Sequence, residues 1–327
     1  MSTIKVDTLQ HRDGTEFIFS ERNKIINGDF SVNQRSSTYT STDSANNDAK
    51  YTLDRWQLFS DGNDVVDVSQ ETTTVPTNQL YAIALDVETA NKKFGIAQKI
   101  EQKNCVDLIG NEVTLSFKAK VSATTNLDNV KCAIIAWDGT ADTLTDDMIS
   151  AWGSEGTNPT LATNYTYENT PANLNLTTSY ATYTTTATID TSGAKNVIVF
   201  IWSDVTTTSA GEFLYITDVQ LEKSPSASTF ERKNHQQQLD DCYRYCEKID
   251  IRVMQVVRSS VSGTGAGFNN LYFKQSKRDA PTTTITTGSV NVNRPDFTRI
   301  SDDTSVSAGG VSQFPNADHY VIADAEL

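Results

Sequence analysis

The sequence predicts an all-β fold of the sandwich or jelly-roll type, and three observations carry that prediction. The first is composition. Of 327 residues, 37% are hydrophobic and 21% charged, with 7 Pro, so Thr, Ser, Asn and Asp fill much of the remainder. Thr is β-branched and suits a pleated, half-buried surface. The second is alternation of apolar and polar residues over several long windows, the period of a strand with one face buried. The third is spacing. The windows are separated by polar loops, as in a sandwich, rather than by the helical stretches of a βαβ chain.

Taken in order, residues 1–22 stand apart. Ile4, Val6 and Leu9 nearly alternate with polar residues, Asp13-Gly14 breaks the run, and Phe17-Ile18-Phe19 follows. That pattern predicts two short strands around an Asp-Gly turn. Two strands alone are marginal in water, so the segment needs a partner: sister chains, a docking platform or the main domain. Residues 23–232 read as a jelly-roll β-sandwich. Its strand windows are Val113–Val121, Lys131–Trp137, Tyr180–Ile189, Asn196–Trp202 and Phe213–Leu221. The Asn196 window is apolar throughout and reads as central. The polar stretches near 36–50 and 153–178 read as long loops.

Residues 233–249 change period. Leu239, Cys242, Tyr243, Cys246 and Ile249 share one helical face, with Asp240, Asp241 and Glu247 outward and Asn234 as N-cap, predicting a short amphipathic linker helix. Residues 250–327 return to a β module, with strands expected at Ile251–Val257, Asn270–Lys274 and Thr282–Thr286 and a glycine-rich turn at Gly263–Gly267. This module has few large apolar groups, so packing against neighbours, as in a homotrimer, is expected.

The formal net charge is −14. That field repels phosphate backbones and argues against nucleic acid as a partner. No run approaches the roughly 18 apolar residues that a spanning helix needs, and the start lacks a basic region followed by an apolar one. No membrane insertion is expected, and folding is expected in the cytoplasm of the cell that makes the chain. Cys105, Cys132, Cys242 and Cys246 form no CxxC pair and read as small buried thiols. His11, His235 and His319 fall in three separate segments with neither metal-ligand nor triad spacing. Gly263-Thr-Gly-Ala-Gly267 lacks the Lys-Ser/Thr of a phosphate loop. No catalytic residues are assigned and no enzyme activity is expected.

Three phrases carry a resemblance. They are Arg22-Asn-Lys-Ile-Ile-Asn-Gly-Asp-Phe30 with Gln34-Arg35, then Tyr51-Thr-Leu-Asp-Arg-Trp56, and then Thr217-Asp-Val-Gln-Leu-Glu222 with Thr229-Phe-Glu-Arg232 and Cys242-Tyr-Arg-Tyr245. In this order, over roughly residues 22–246, they resemble the jelly-roll domain of phage tail fibre and virion proteins, itself similar to carbohydrate-binding modules. The closing phrase departs slightly, reading Cys-Tyr-Arg-Tyr-Cys. The opening Ser2–Gln10 with Arg12–Thr15 looks like the N-termini of marine phage structural proteins, where it implies an attachment or assembly segment.

The resemblance implies a non-enzymatic virion structural protein. It would be a tail fibre or receptor-binding component that meets a host glycan, docked to other tail or capsid proteins through residues 1–22. The alternative is a capsid fibre, knob or tail-assembly adaptor with a purely structural role. It also implies a structural calcium ion near the junction of the first and last strands, with Asp29 and Asp218 as candidate ligands; no other cofactor is expected. Sugar contact calls for exposed aromatic rings with polar neighbours. Trp152, Tyr165 and Tyr167, in polar stretches, and Trp137, at a strand end, are the glycan-binding candidates.

Overall fold

A computed structural model describes residues 22–250, 268–285, 289–301 and 320–327. The expected strands at 1–22 and 251–257, the turn at 263–267, His11 and His319 lie outside these.

The chain runs β1 (Thr38–Tyr39), β2 (Lys50–Tyr51), β3 (Gln57–Ser60), β4 (Val66–Glu71), β5 (Ala82–Val87), β6 (Phe94–Ile100), α1 (Gln102–Cys105), β7 (Glu112–Val121) and β8 (Val130–Trp137). It continues through β9 (Ile149–Ala151), β10 (Thr160–Leu161), β11 (Tyr165–Tyr167), β12 (Ala181–Thr188), β13 (Asn196–Ser203) and β14 (Phe213–Glu222). Then come α2 (His235–Tyr243), β15 (Cys246–Asp250), β16 (Phe268–Tyr272), β17 (Thr282–Ile285), β18 (Ser289–Asn293), β19 (Phe297–Ser301) and β20 (Tyr320–Asp324).

Two six-stranded antiparallel sheets form a jelly-roll sandwich. One has the order β1-β4-β5-β14-β7-β12 and the other β11-β8-β13-β6-β3-β2. The five long windows predicted from alternation are β7, β8, β12, β13 and β14. Val113, Leu115, Phe117, Ala119 and Val121 of β7 all point into the main core, as period two requires. The stretches expected to be loops carry short edge strands instead: β1 and β2 in one, β10 and β11 in the other.

The second sheet is buried on both faces. Val197, Val199 and Ile201 of β13 join the main core. Ile198, Phe200 and Trp202 join a second cluster on the outer face, with Phe59, Ala133, Ile135 and Met148. The excursion between β8 and β12 folds back to cover this face. A strand apolar at every position needs cover on both sides, which is why β13 has no polar face.

Behind β14, the chain closes through α2. Asn234 caps it as predicted, accepting from Gln237 N at 2.9 Å. The helix is shorter than expected, ending at Tyr243, and Cys246 to Asp250 are a strand. Glu247 is not outward but buried, because it pairs with Lys277 at 2.7 Å in an equally buried position. β15 joins β20 and β17 in one three-stranded sheet, and β16, β19 and β18 form another.

Candidate functional site

The phrases that carry the resemblance converge into one knot. Asn27 and Phe30 adopt positive φ, so the chain turns sharply at Asn27-Gly28-Asp29 and sends Phe30 into the core beside Trp56, with ring centroids 5.0 Å apart. A Cβ on Gly28 would collide with the Val219 carbonyl, so glycine is required there. Asn23 binds the end of β14 from both sides of its amide: Nδ2 donates to Val219 O at 3.2 Å and Oδ1 accepts from Leu221 N at 3.1 Å. Gln238 of α2 donates to Ser31 Oγ at 2.8 Å and also to Asp29. Arg55 is buried, pairs with Glu326 and lies 3.6 Å over the Tyr245 ring. Glu231 and Arg232 take different partners: Asn23 N donates to Glu231 at 2.8 Å, while Arg232 donates to Asn78 O at 3.1 Å. Each of these contacts ties segments of the chain together.

The two calcium candidates, Asp29 and Asp218, each accept from protein donors. Asp218 is paired with the Lys118 ammonium at 2.9 Å and accepts from Gln79 Nε2 at 2.5 Å. Asp29 accepts from Ser31 N at 3.2 Å and from Gln238. Calcium takes six to eight oxygens. Among the described residues no group of three or more His, Cys, Asp or Glu is placed to hold a metal ion. His235, at the start of α2, is exposed.

The predicted aromatic candidates are brought together, but inward. Trp137, Trp152 and Tyr165 are 4%, 8% and 7% exposed, too little to offer a ring face to a sugar. Trp137 and Tyr165 pack at 4.7 Å, Trp152 packs on Phe200, and Tyr167 packs on Trp202. Their polar atoms are engaged as well. Trp137 Nε1 donates to Thr140 O, Tyr165 to Thr145 O and Tyr167 to Pro159 O, at 2.8–2.9 Å. Burial raises the Tyr165 hydroxyl to about 12. The expected platform is in fact the second core.

The outer face of the first sheet carries a half-buried aromatic ring with charged neighbours. On the outer face of the first sheet, one row across four strands is Ser69, Ala84, Tyr215 and Lys120, and the next is Asp67, Asp86 and Phe213. Phe213 and Tyr215 stack at 5.5 Å with planes 9° apart. The Lys120 ammonium sits between the Tyr215 and Tyr180 rings, 5.6 and 5.9 Å from their centroids. Ala84 and Tyr215 are covered, at 1% and 9% exposed, so the rings that solvent reaches on this face are Phe213 and Tyr180. Tyr180 donates to Thr74 O at 2.7 Å, which ties it to the β4–β5 loop.

Asp67 and Asp86 oppose each other across β4 and β5. Burial, and then the nearby Glu88, hold both carboxyls above the usual aspartate range. Asp86 Oδ1 is out of solvent with no hydrogen-bond partner among the described residues. The sequence held a signal for this site. In Phe213–Leu221 the residues between the core positions begin with Phe and Tyr rather than polar residues. Which sheet face stays open could not be read from it.

No family model matches the chain, and no curated protein matches it. Among solved structures it is similar to the enzymatically active domain of bacteriophage CBA120 tailspike protein 4, at 15% identity and a TM-score of 0.38, over 64% of this chain and 22% of that one. The chain thus spans about a fifth of that structure's length. It is also similar to a Paenibacillus barcinonensis CBM22-1 xylan-binding domain, at 12% identity and a TM-score of 0.32, over 53% and 87% of the two chains. A third is a carbohydrate-binding module of the β-sandwich superfamily, at 10% identity and a TM-score of 0.36, over 58% and 63%.

Proposed function

We propose that this chain is a non-enzymatic structural component of a phage particle, a tail fibre or receptor-binding part, that holds a host-surface glycan on the outer face of its first sheet. The observation that carries the glycan reading is the half-buried Phe213 ring, stacked on the covered Tyr215 ring. It lies in one row with Asp86 and Asp67, and Lys120 stands in the next row. Aromatic faces take the apolar side of a sugar ring, and flanking charges take its hydroxyls. The particle role is supported by the order and spacing of the phrases from Arg22 to Tyr245. In this reading residues 1–22 dock to neighbouring tail or capsid proteins, and the assembled unit is a homotrimer.

The function is contact rather than cleavage. The paired Asp67 and Asp86 make that claim testable, since two carboxyls with raised proton affinity could serve a glycosidase. A glycan array with the full chain should give binding that Phe213→Ala weakens by roughly ten-fold or more, the loss of one stacked aromatic contact. Binding unaffected by Phe213→Ala would reject the sheet face. No binding at all would leave the purely structural adaptor. Release of reducing ends from a bound polysaccharide would overturn the non-enzymatic assignment.

A further inference from the structure

The chain that leaves β14 turns back over the outer face of the first sheet and encloses a cavity of about 390 Å³ there. Gln220 pins it. Val219 and Leu221 belong to the main core, so Gln220 between them faces outward. Its Nε2 donates to Ser228 Oγ at 3.2 Å, and its Oε1 accepts from Glu231 N at 2.7 Å. Thr229 and Phe230 thereby become one wall of the cavity, above Lys118, Thr182 and Asp218 of the sheet. Its volume falls within the roughly 300–1,000 Å³ of small-ligand sites.

One run of contacts sets the charge of this cavity. β14 bulges between Thr217 and Gln220, and Asp218 there takes a positive φ of 54°. Asp218 pairs with Lys118 at 2.9 Å and accepts from Gln79 Nε2 at 2.5 Å. Gln79 Oε1 in turn accepts from Arg232 Nη2 at 2.5 Å. Arg232 also donates to Asn78 O from the same nitrogen, so its Nε and Nη1 have no partner among the described residues. Lys118 is answered by Asp218; among the described residues no carboxylate pairs with Arg232. The lining thus holds two cations to one carboxylate, in a chain whose formal net charge is −14. Asp218 is 3% exposed and Lys118 35%, so an occupant meets the cations first. On its other side Arg232 borders a smaller hollow lined by Asp29 and Lys233, one charge of each sign.

The groups in reach suit an acidic sugar. Arg232, Thr182 and Thr229 are exposed and Phe230 is half-buried. Free guanidinium donors take a carboxylate, threonine hydroxyls donate to and accept from sugar hydroxyls, and an aromatic ring takes the apolar side of a pyranose. The position relative to Phe213 matters as well. Lys118 stands opposite Thr217, four residues beyond Phe213 on β14, or about 13 Å at the rise of an extended strand. One sugar ring does not span that distance. Asp67 and Asp86 lie at the Phe213 end and repel an anion there, so the face has a direction.

We propose, resting on the sheet-face reading, that the bound glycan is acidic. Arg232 and Lys118 hold the carboxylate of one hexuronic acid residue, Phe230 takes its ring, and Phe213 takes a neutral residue farther along the same glycan.

The test is the affinity of the full chain for D-glucuronate, D-galacturonate and, as neutral control, D-glucose, titrated by saturation-transfer NMR. The wild type is expected to bind at least one uronate roughly ten-fold more tightly than glucose, the worth of one hydrogen bond to a charged group. Arg232→Gln is expected to bring that uronate to the level of glucose. Phe213→Ala is expected to leave it unchanged, because that ring lies outside the cavity. Failure to bind either uronate, equal affinity for glucose, or a preference that survives Arg232→Gln overturns the proposal. So does uronate binding that is lost in Phe213→Ala, an outcome that leaves the sheet-face reading standing. Glycan-array binding unchanged by Phe213→Ala, with the uronate preference intact, sinks the sheet-face reading and the shared glycan but not the carboxylate site. If Arg232→Gln melts below the wild type, Thr182→Glu, which sets a like charge at an exposed point of the floor, is read by the same criteria.

Discussion

At the scale of the residue, this protein tolerates buried charge only where partners are dense. Lys93 is a clear case. It is fully enclosed, pairs with Asp204 and donates to the carbonyls of Ser154 and Thr157 at 2.8 and 3.2 Å. Lys131 meets the other oxygen of Asp204 at 2.7 Å. Asp86 is the opposite case, with one oxygen unmatched and its carboxyl held above the usual range by burial and by Glu88. A carboxyl whose proton is held more tightly in the folded state costs stability once pH rises past its unfolded value, because the unfolded chain ionises first. Asp86→Asn is therefore expected to raise the melting temperature at pH 7 and to leave it unchanged well below the ordinary carboxylate value of 3.8. Thermal melts across that range check the sign, and a gain that persists at the acid end would show that titration is not its cause.

At the scale of the element, packing sets the terms. Gly95 lies in β6, opposite Trp202 of β13. A Cβ there would run into the Ile201 carbonyl and the Trp202 backbone, with Trp202 Cα at 2.7 Å. Backbone in the middle of a doubly covered sheet has no room to give. Gly95→Ala should cost about 1–3 kcal/mol, the usual range for overpacking, measured by urea unfolding. The N-terminus of α2 is more forgiving. Asn234 supplies one capping bond to an exposed helix end, so Asn234→Ala should cost about 1 kcal/mol by the same measurement. Alternation made the five long strands legible. The short edge strands β1, β2, β10 and β11 were not, because two or three residues hold no period to read. The helix was placed by its N-cap, yet its end was misjudged. Cys246 and Ile249 fit a helical face as well as they fit β15, and pairing with β20, remote in sequence, decided between them.

At the scale of the whole molecule, residues 324–326 tie the C-terminal sheet to the sandwich. Glu326 is 3% exposed and faces two guanidiniums, those of Arg55 and Arg35. Arg55 is itself 1% exposed and is further held over the Tyr245 ring. Removing the carboxylate charge leaves a buried cation short of its partner. Glu326→Gln should therefore cost about 3–5 kcal/mol, the range for breaking a buried pair from one side. Chemical denaturation would show this, and a change under about 1 kcal/mol would mean that the pair behaves as an exposed one. The glycan candidates belong to this scale as well. Trp152, Tyr165 and Tyr167 sit in polar stretches, which is why they read as exposed, while Trp137 ends an apolar strand. They are covered because the 138–168 excursion folds onto the outer face of the second sheet. The first sheet's outer face stays partly open, and Phe213 stands there instead.

The sequence alone determined the β architecture, the position of five of the strands and the helix cap. These follow from period, turn chemistry and side-chain type, all of which are local. Tertiary structure alone decided which sheet face is covered and which carboxylates meet a cation. Those outcomes depend on residues brought together from far apart in the chain, as Arg55 and Glu326 are, and no local pattern records that distance.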